Sequence, residues 1–295
     1  TDGHGTGLSM DIRDRLMAFL LAGLALCFLP ASTVRAVTSL PPCDISTPCK
    51  VEGGFYHARL PAGWDGRPTL QVMVFYHGWQ DEAKSVIADP VFQAFADRRD
   101  LILIVPQGAG KTWSYPGSPG RHRDEFAFTA AVLADVKARF PVDAAQVFAS
   151  GFSQGGSMVW NLACHRPEGF TGFIPVAGGF WEPLPESCQP GPRRIFHIHG
   201  MADRTVPMAG RSLRNGTYRQ GDIRKGWVVL QQALGCTGPH VAVARETHFA
   251  CEHMKGCPSP AAMEMCLHPG GHDMDPSFLD MALDWMAAEG EGGKR

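Results

Sequence analysis

Val147-Phe148-Ala149-Ser150-Gly151-Phe152-Ser153-Gln154-Gly155-Gly156-Ser157 is an apolar run that ends in G-F-S-Q-G-G and passes into a helical pattern. Glycine two positions before and two after a serine permits a turn too tight for side chains on its neighbours. Such a turn lifts the Ser153 hydroxyl clear of the strand, at the N-terminus of the helix that follows. The same five-residue pattern occurs by chance in many chains, and Ser153 could equally be an ordinary serine at a helix start. Its meaning therefore depends on the rest of the chain.

Outward from this stretch, buried strands and helices alternate. Residues 70–76 are almost continuously apolar, as a strand covered on both faces requires, and they end in His77-Gly78-Trp79. Residues 54–60 alternate and predict an edge strand after an irregular lead-in over 37–50. Residues 90–98 predict a helix with Val91, Phe92, Phe95 and Ala96 inward, and 101–105 a second buried strand stopped by Pro106. Residues 124–140 predict a helix with Asp124 and Glu125 in its first turn and an apolar face of Phe128, Val132, Leu133 and Val136. After the Ser153 turn come a helix to about Cys164, strands over 173–178 and 194–200, and a helix over 223–234. Weaker strands follow over 241–244 and 263–267, and an amphipathic helix closes the chain over 276–288. This alternation predicts one α/β domain over 37–295, with a mostly parallel central sheet flanked by helices.

Composition narrows the function. The chain has 295 residues, 44% of them hydrophobic, and a formal net charge of −2 with no long basic run, so nothing points to nucleic acid. The 34 glycines and 23 prolines predict many loops, short of the share that signals disorder. Met10 is a plausible start, followed by Arg13, Arg15 and an apolar run over 16–29 that is shorter than the roughly 20 residues of a membrane span. Pro30 breaks it, and Val34-Arg35-Ala36 fits a small-x-small cleavage site. Residues 1–36 are thus expected to be an N-terminal extension and signal peptide, the product being secreted or periplasmic, with no stable membrane insertion after cleavage. An uncleaved anchor and a lipoprotein signal at Cys27 are the alternatives, and Leu26 is too large for the latter. Removing Cys27 from the nine cysteines leaves eight, an even number suited to disulfides in an oxidising compartment. Connectivity does not follow from sequence; nearest-neighbour pairing would give Cys43–Cys49, Cys164–Cys188, Cys236–Cys251 and Cys257–Cys266.

Three residues carry the candidate chemistry, in the order Ser153, Asp203, His272. Asp203 follows a strand in H-G-M-A-D-R-T-V-P, and His272 stands in G-G-H-D near the end. A serine hydroxyl needs a base to take its proton during attack, and a neutral imidazole can do so at about pH 7. A carboxylate behind the imidazole fixes its tautomer and stabilises the imidazolium. Asp203 is the expected acid, with Asp273 and Asp275 as alternatives. A tetrahedral oxyanion would need two donors, expected at the backbone N–H groups of Gln154 and Trp79. His77 precedes the nucleophile and is expected to shape the oxyanion loop. His197 and His199 share one face of a strand and are expected to support the acid loop rather than hold metal. Cys251, His253, Cys257, Cys266 and His268 could be read as a zinc cluster, but export and the even cysteine count favour disulfides. Trp113 and Tyr115 are candidates to line a substrate cleft, or simply to pack.

Together Y-H-G-W, G-F-S-Q-G-G, H-G-M-A-D-R-T-V-P and G-G-H-D-M, with a cysteine segment between the last two, resemble secreted polyhydroxybutyrate depolymerase-like esterases. These are relatives of the feruloyl esterase and acetylxylan esterase group, and the resemblance spans residues 43–290. It implies an α/β-hydrolase fold, a catalytic triad of Ser153, Asp203 and His272, and an oxyanion donor at Trp79. It also implies hydrolysis of small-molecule or oligomeric carboxylic esters with no cofactor and no metal. The oligomeric state is left open. Two departures bear on specificity: Trp79 stands where many relatives carry cysteine or a smaller residue, and G-H-D-M replaces a G-H-x-W that sets an aromatic beside the base. The short tail after His272 favours soluble esters or oligomers over a crystalline polyester. A serine peptidase of the same fold and a non-catalytic secreted binding protein on a hydrolase scaffold are the rival functions.

Overall fold

A computed structural model describes Thr1 and residues 43–191, 193–246 and 248–292; beyond Thr1 these belong to one unit, Leu40–Arg295. The expected signal peptide lies outside the described residues. In order, the elements are β1 (Cys49–Val51), β2 (Gly54–Arg59), β3 (Leu70–Tyr76), α1 (Ala83–Ala88), α2 (Pro90–Arg98), β4 (Leu101–Pro106) and α3 (Glu125–Arg139). There follow β5 (Val142–Phe152), α4 (Gln154–His165), β6 (Gly172–Val176), β7 (Arg194–Gly200), β8 (Arg211–Leu213), β9 (Tyr218–Gln220) and α5 (Ile223–Leu234). The chain closes with β10 (His240–Val243), β11 (Ala250–Met254), β12 (Ala262–His268) and α6 (Pro276–Gly292).

Ten strands form one sheet in the order β1-β2-β4-β3-β5-β6-β7-β12-β11-β10. Its centre, from β4 to β12, is parallel, and antiparallel strands flank it on both sides. Strand periodicity divides the core into two layers. Val72, Val74 and Tyr76 of β3 face one layer with α3, α4 and α5, while Met73 and Phe75 face the other with α1, α2 and α6. The helices start where short polar side chains can take up free N–H groups. Asp124 accepts from Phe126 and Ala127 at the head of α3, and Asp222 accepts from Lys225 at the head of α5.

The parallel core follows the expectation, and four local features differ from it. β2 is covered by β1, so Cys49 and Lys50, inside the lead-in expected to be irregular, form the edge strand with Val51. Val91 is exposed on α2, because the inward face is set by Phe92, Phe95 and Ala96. Helix α1, the β8–β9 hairpin and β11 are additional elements. The disulfides are Cys43–Cys49, Cys164–Cys188, Cys236–Cys257 and Cys251–Cys266, which corrects the last two nearest-neighbour pairs. Sheet register explains the exchange: Cys251 on β11 is the direct cross-strand partner of Cys266 on β12. Cys236, just past α5, is brought to Cys257 by the backbone bonds Thr237 N–H to Gly256 O and Gly238 N–H to Lys255 O. All four cysteines considered for zinc or disulfides in this segment are therefore oxidised and offer no thiolate.

Candidate active site

Strand order reverses at the centre of the sheet. From β3 the chain crosses to β4 on one side and returns to β5 on the other. Loops leaving the carboxyl ends of such strands diverge and leave a crevice between them. The end of β5 and the end of β3, which carry Ser153 and His77-Gly78-Trp79, meet at this point.

Ser153 has φ 56° and ψ −116°, a backbone conformation that costs a non-glycine residue about 1–3 kcal/mol. Close packing holds it there. A Cβ on Gly155 would overlap the Tyr76 carbonyl, and one on Gly151 would come within 2.7 Å of the Gly155 carbonyl. Ser153 occupies the N-cap position of α4, yet its side chain makes no capping hydrogen bond. Its Oγ lies 2.8 Å from Nε2 of His272 instead.

His272 Nδ1 lies 2.7 Å from Oδ2 of Asp203. An ionised carboxylate only accepts, so the proton sits on Nδ1, Nε2 is the acceptor, and the Ser153 hydroxyl donates to it. Oδ1 of Asp203 accepts from the N–H groups of Thr205 and Val206, each at 2.8 Å. Burial works against the Asp203 charge. The hydrogen bond from His272 and that from the Val206 amide outweigh it and hold the carboxyl below the usual range. Asp273 and Asp275, the alternative acids, are engaged locally: they accept from the N–H groups of Gly271 and Ser277.

Two further supports were partly visible in the sequence. The His77 ring accepts at Nε2 from Gly108 N–H at 2.9 Å, so Nδ1 carries the proton and donates to Gly78 O at 2.8 Å. Burial depresses the pKa of His77 and keeps it neutral. A trans peptide points its N–H opposite its C=O. Anchoring the Gly78 carbonyl on His77 therefore turns the Trp79 N–H the other way. No acceptor for the N–H of Trp79 or of Gln154 occurs among the described residues. The second support runs behind the acid. Trp160 Nε1 donates to His197 Nδ1 at 3.3 Å, and His197 and His199 are bonded at 3.1 Å. His199 Nε2 in turn meets Val206 O at 2.7 Å. Because indole only donates, every proton in this chain has one direction, ending at the loop that holds Asp203. Burial lowers the pKa of both histidines, well below the ordinary value for His197.

A cavity of about 310 Å³ opens beside Ser153, lined by Trp79, Gln154, Trp181, Val206 and Tyr218 among others. Trp113 and Tyr115, the candidate cleft residues, are not in its wall. Trp113 is fully buried, its indole N–H donating to His77 O at 2.8 Å and its ring against Tyr76. Tyr115 is buried in the same core layer. The loop over 107–123 folds inward because His77 offers it a carbonyl and an imidazole. Phe152 was not anticipated: its ring lies 4.7 Å from that of His272, so the residue before the serine provides the aromatic neighbour that G-H-D-M lacks.

No family model matches the chain. It is 25% identical over 241 residues to feruloyl esterase C of Emericella nidulans, covering 79% of this chain and 82% of that protein. It is 32% identical over 156 residues to "Putative esterase NocK" of Nocardia uniformis subsp. tsuyamanensis, spanning 52% of this chain and 44% of that protein. Among solved structures it is similar to an acetyl xylan esterase from Aspergillus awamori, with TM-score 0.56 and 14% identity over 79% of this chain and 93% of the other. The fold is that of an α/β-hydrolase. Within that class the chain is feruloyl esterase-like.

Proposed function

We propose that the chain is an exported serine hydrolase of carboxylic esters that works through an acyl-enzyme on Ser153. His272 takes the Ser153 proton as Oγ attacks the ester carbonyl. The N–H groups of Gln154 and Trp79 receive the oxyanion, and Asp203 stabilises the imidazolium. His272 then gives the proton to the departing alcohol, and a water activated by the same imidazole releases the acid. The acyl groups in scope are short-chain, hydroxyalkanoate and hydroxycinnamate, the hydroxyalkanoate class matching the polyhydroxybutyrate depolymerase-like motifs. The resemblance to feruloyl esterases supports the esterase function. Export to a secreted or periplasmic location is supported by four disulfides.

The observation that carries the proposal is the continuous hydrogen-bonded series Ser153–His272–Asp203, at 2.8 and 2.7 Å. The test is a substrate panel of p-nitrophenyl acetate and butyrate, methyl ferulate and hydroxybutyrate oligomers against peptide anilides. Turnover of the esters is expected. Turnover of the anilides alone would establish a peptidase, and turnover of nothing would favour a binding protein.

A further inference from the structure

The cavity beside Ser153 is walled mainly by apolar and aromatic groups, among them Trp181, Val206, Leu213 and Tyr218. Two arginines, Arg211 and Arg214, share that wall, and no carboxylate does. Both belong to the β8–β9 hairpin between the acid loop and α5. Arg211 Nε donates to Gln220 Oε1 at 3.2 Å, and the Arg214 guanidinium stands 5.7 Å from the centre of the Tyr218 ring. These partners are neutral and line the same cavity, so each cation is oriented without being neutralised. Among the described residues, neither arginine is within ion-pair distance of a carboxylate. The contrast lies on the same hairpin. Arg219, between Tyr218 and Gln220, must point to the other face of the strand, and there it pairs with Glu182 at 3.0 Å.

Two like charges held against an apolar wall raise the local positive potential and attract anions. A guanidinium also presents paired N–H donors that match a carboxylate. We propose that Arg211 and Arg214 form an anion subsite, and that the favoured substrates are esters bearing a free carboxylate, such as an oligoester with its acid end or the half-ester of a dicarboxylic acid. The proposal rests on the esterase function assigned to Ser153. It selects among the esters that such an enzyme would accept.

The experiment compares kcat/KM for mono-p-nitrophenyl glutarate with that for p-nitrophenyl butyrate. At low salt the charged ester is expected to be favoured by about tenfold, a ratio that added salt reduces. In the double variant Arg211→Gln/Arg214→Gln the ratio falls toward one, and Arg211→Lys/Arg214→Lys keeps part of it. A wild-type ratio at or below one, or a ratio unchanged in the glutamine variant, overturns the subsite while leaving the esterase function standing. Hydrolysis of neither ester, with methyl ferulate and the hydroxybutyrate oligomers equally untouched, overturns the esterase function. Calorimetric binding of glutarate then decides the subsite by itself: about tenfold weaker binding in the glutamine variant supports it, and equal binding overturns it.

Discussion

The two walls of the crevice are built by different physics. On one side, the ends of β3, β5 and β7 present His77, Ser153 and Asp203: His77 accepts from Gly108 N–H, Asp203 accepts from the N–H groups of Thr205 and Val206, and Ser153 is held by the close-packed glycines of its turn. On the other, the β8–β9 hairpin consists of two three-residue strands outside the main sheet, carrying arginines, an asparagine turn and partly exposed apolar groups. The first wall has the rigidity that bond-making requires. The second has few buried contacts and tolerates charge, so it is suited to choosing substrates. Chemistry and selectivity should therefore respond to different substitutions.

The sheet-end wall is broken most severely at its nucleophile. Ser153→Ala should lower kcat on the order of 10³- to 10⁶-fold in a p-nitrophenyl ester assay, with the fold retained by circular dichroism. Ser153→Gly should be equally inactive yet more stable by about 1 kcal/mol in urea denaturation, because it releases the positive-φ strain. Asp203→Asn should cost on the order of 10³–10⁴ in kcat, since the imidazole loses its tautomer control. The lowered carboxyl pKa of Asp203 adds stability above its unfolded value of 3.8, lost as the pH falls through the folded value. The variant should accordingly melt lower than wild type at neutral pH, the gap closing in acid.

Effects on the supports should be smaller. Trp113→Phe removes the donor to the His77 carbonyl and should destabilise by about 1–3 kcal/mol, with kcat falling more than KM changes if the oxyanion loop shifts. Glu125, at the head of α3, gives the weakest effect. Burial pushes its carboxyl up from 4.5 to about 7 despite the Arg123 guanidinium beside it. A raised carboxyl contributes stability below pH 4.5 that is lost as the pH rises through about 7. Across that interval the melting temperature of wild type should fall relative to Glu125→Gln. Parallel curves would mean that Arg123 keeps Glu125 ionised throughout.

What could be read from the chain divides along the same line. Long apolar runs such as residues 70–76 and 101–105 announce buried parallel strands, and the glycines around Ser153 announce the elbow. Asp203 and His272 stand at strand ends, so order along the chain mapped onto order across the sheet. Nearest-neighbour pairing met Cys43–Cys49 and Cys164–Cys188 but not the last two pairs, because register between β11 and β12 decides which sulfurs meet there and sequence distance does not. Sequence alone does not decide whether Trp113 and Tyr115 line a cleft or pack, because aromatic residues in a glycine-rich loop look available; the bond from Trp113 to the His77 carbonyl shows that Trp113 turns inward. The hairpin was invisible, since strands of three residues carry no periodicity to read.

The most direct test of the central claim is labelling with a fluorophosphonate probe, with the modified residue located by mass spectrometry. Stoichiometric labelling at Ser153, abolished in Ser153→Ala and prevented by unfolding, is the predicted result. No labelling of the folded protein, or equal labelling of the alanine variant, would contradict Ser153 as the nucleophile.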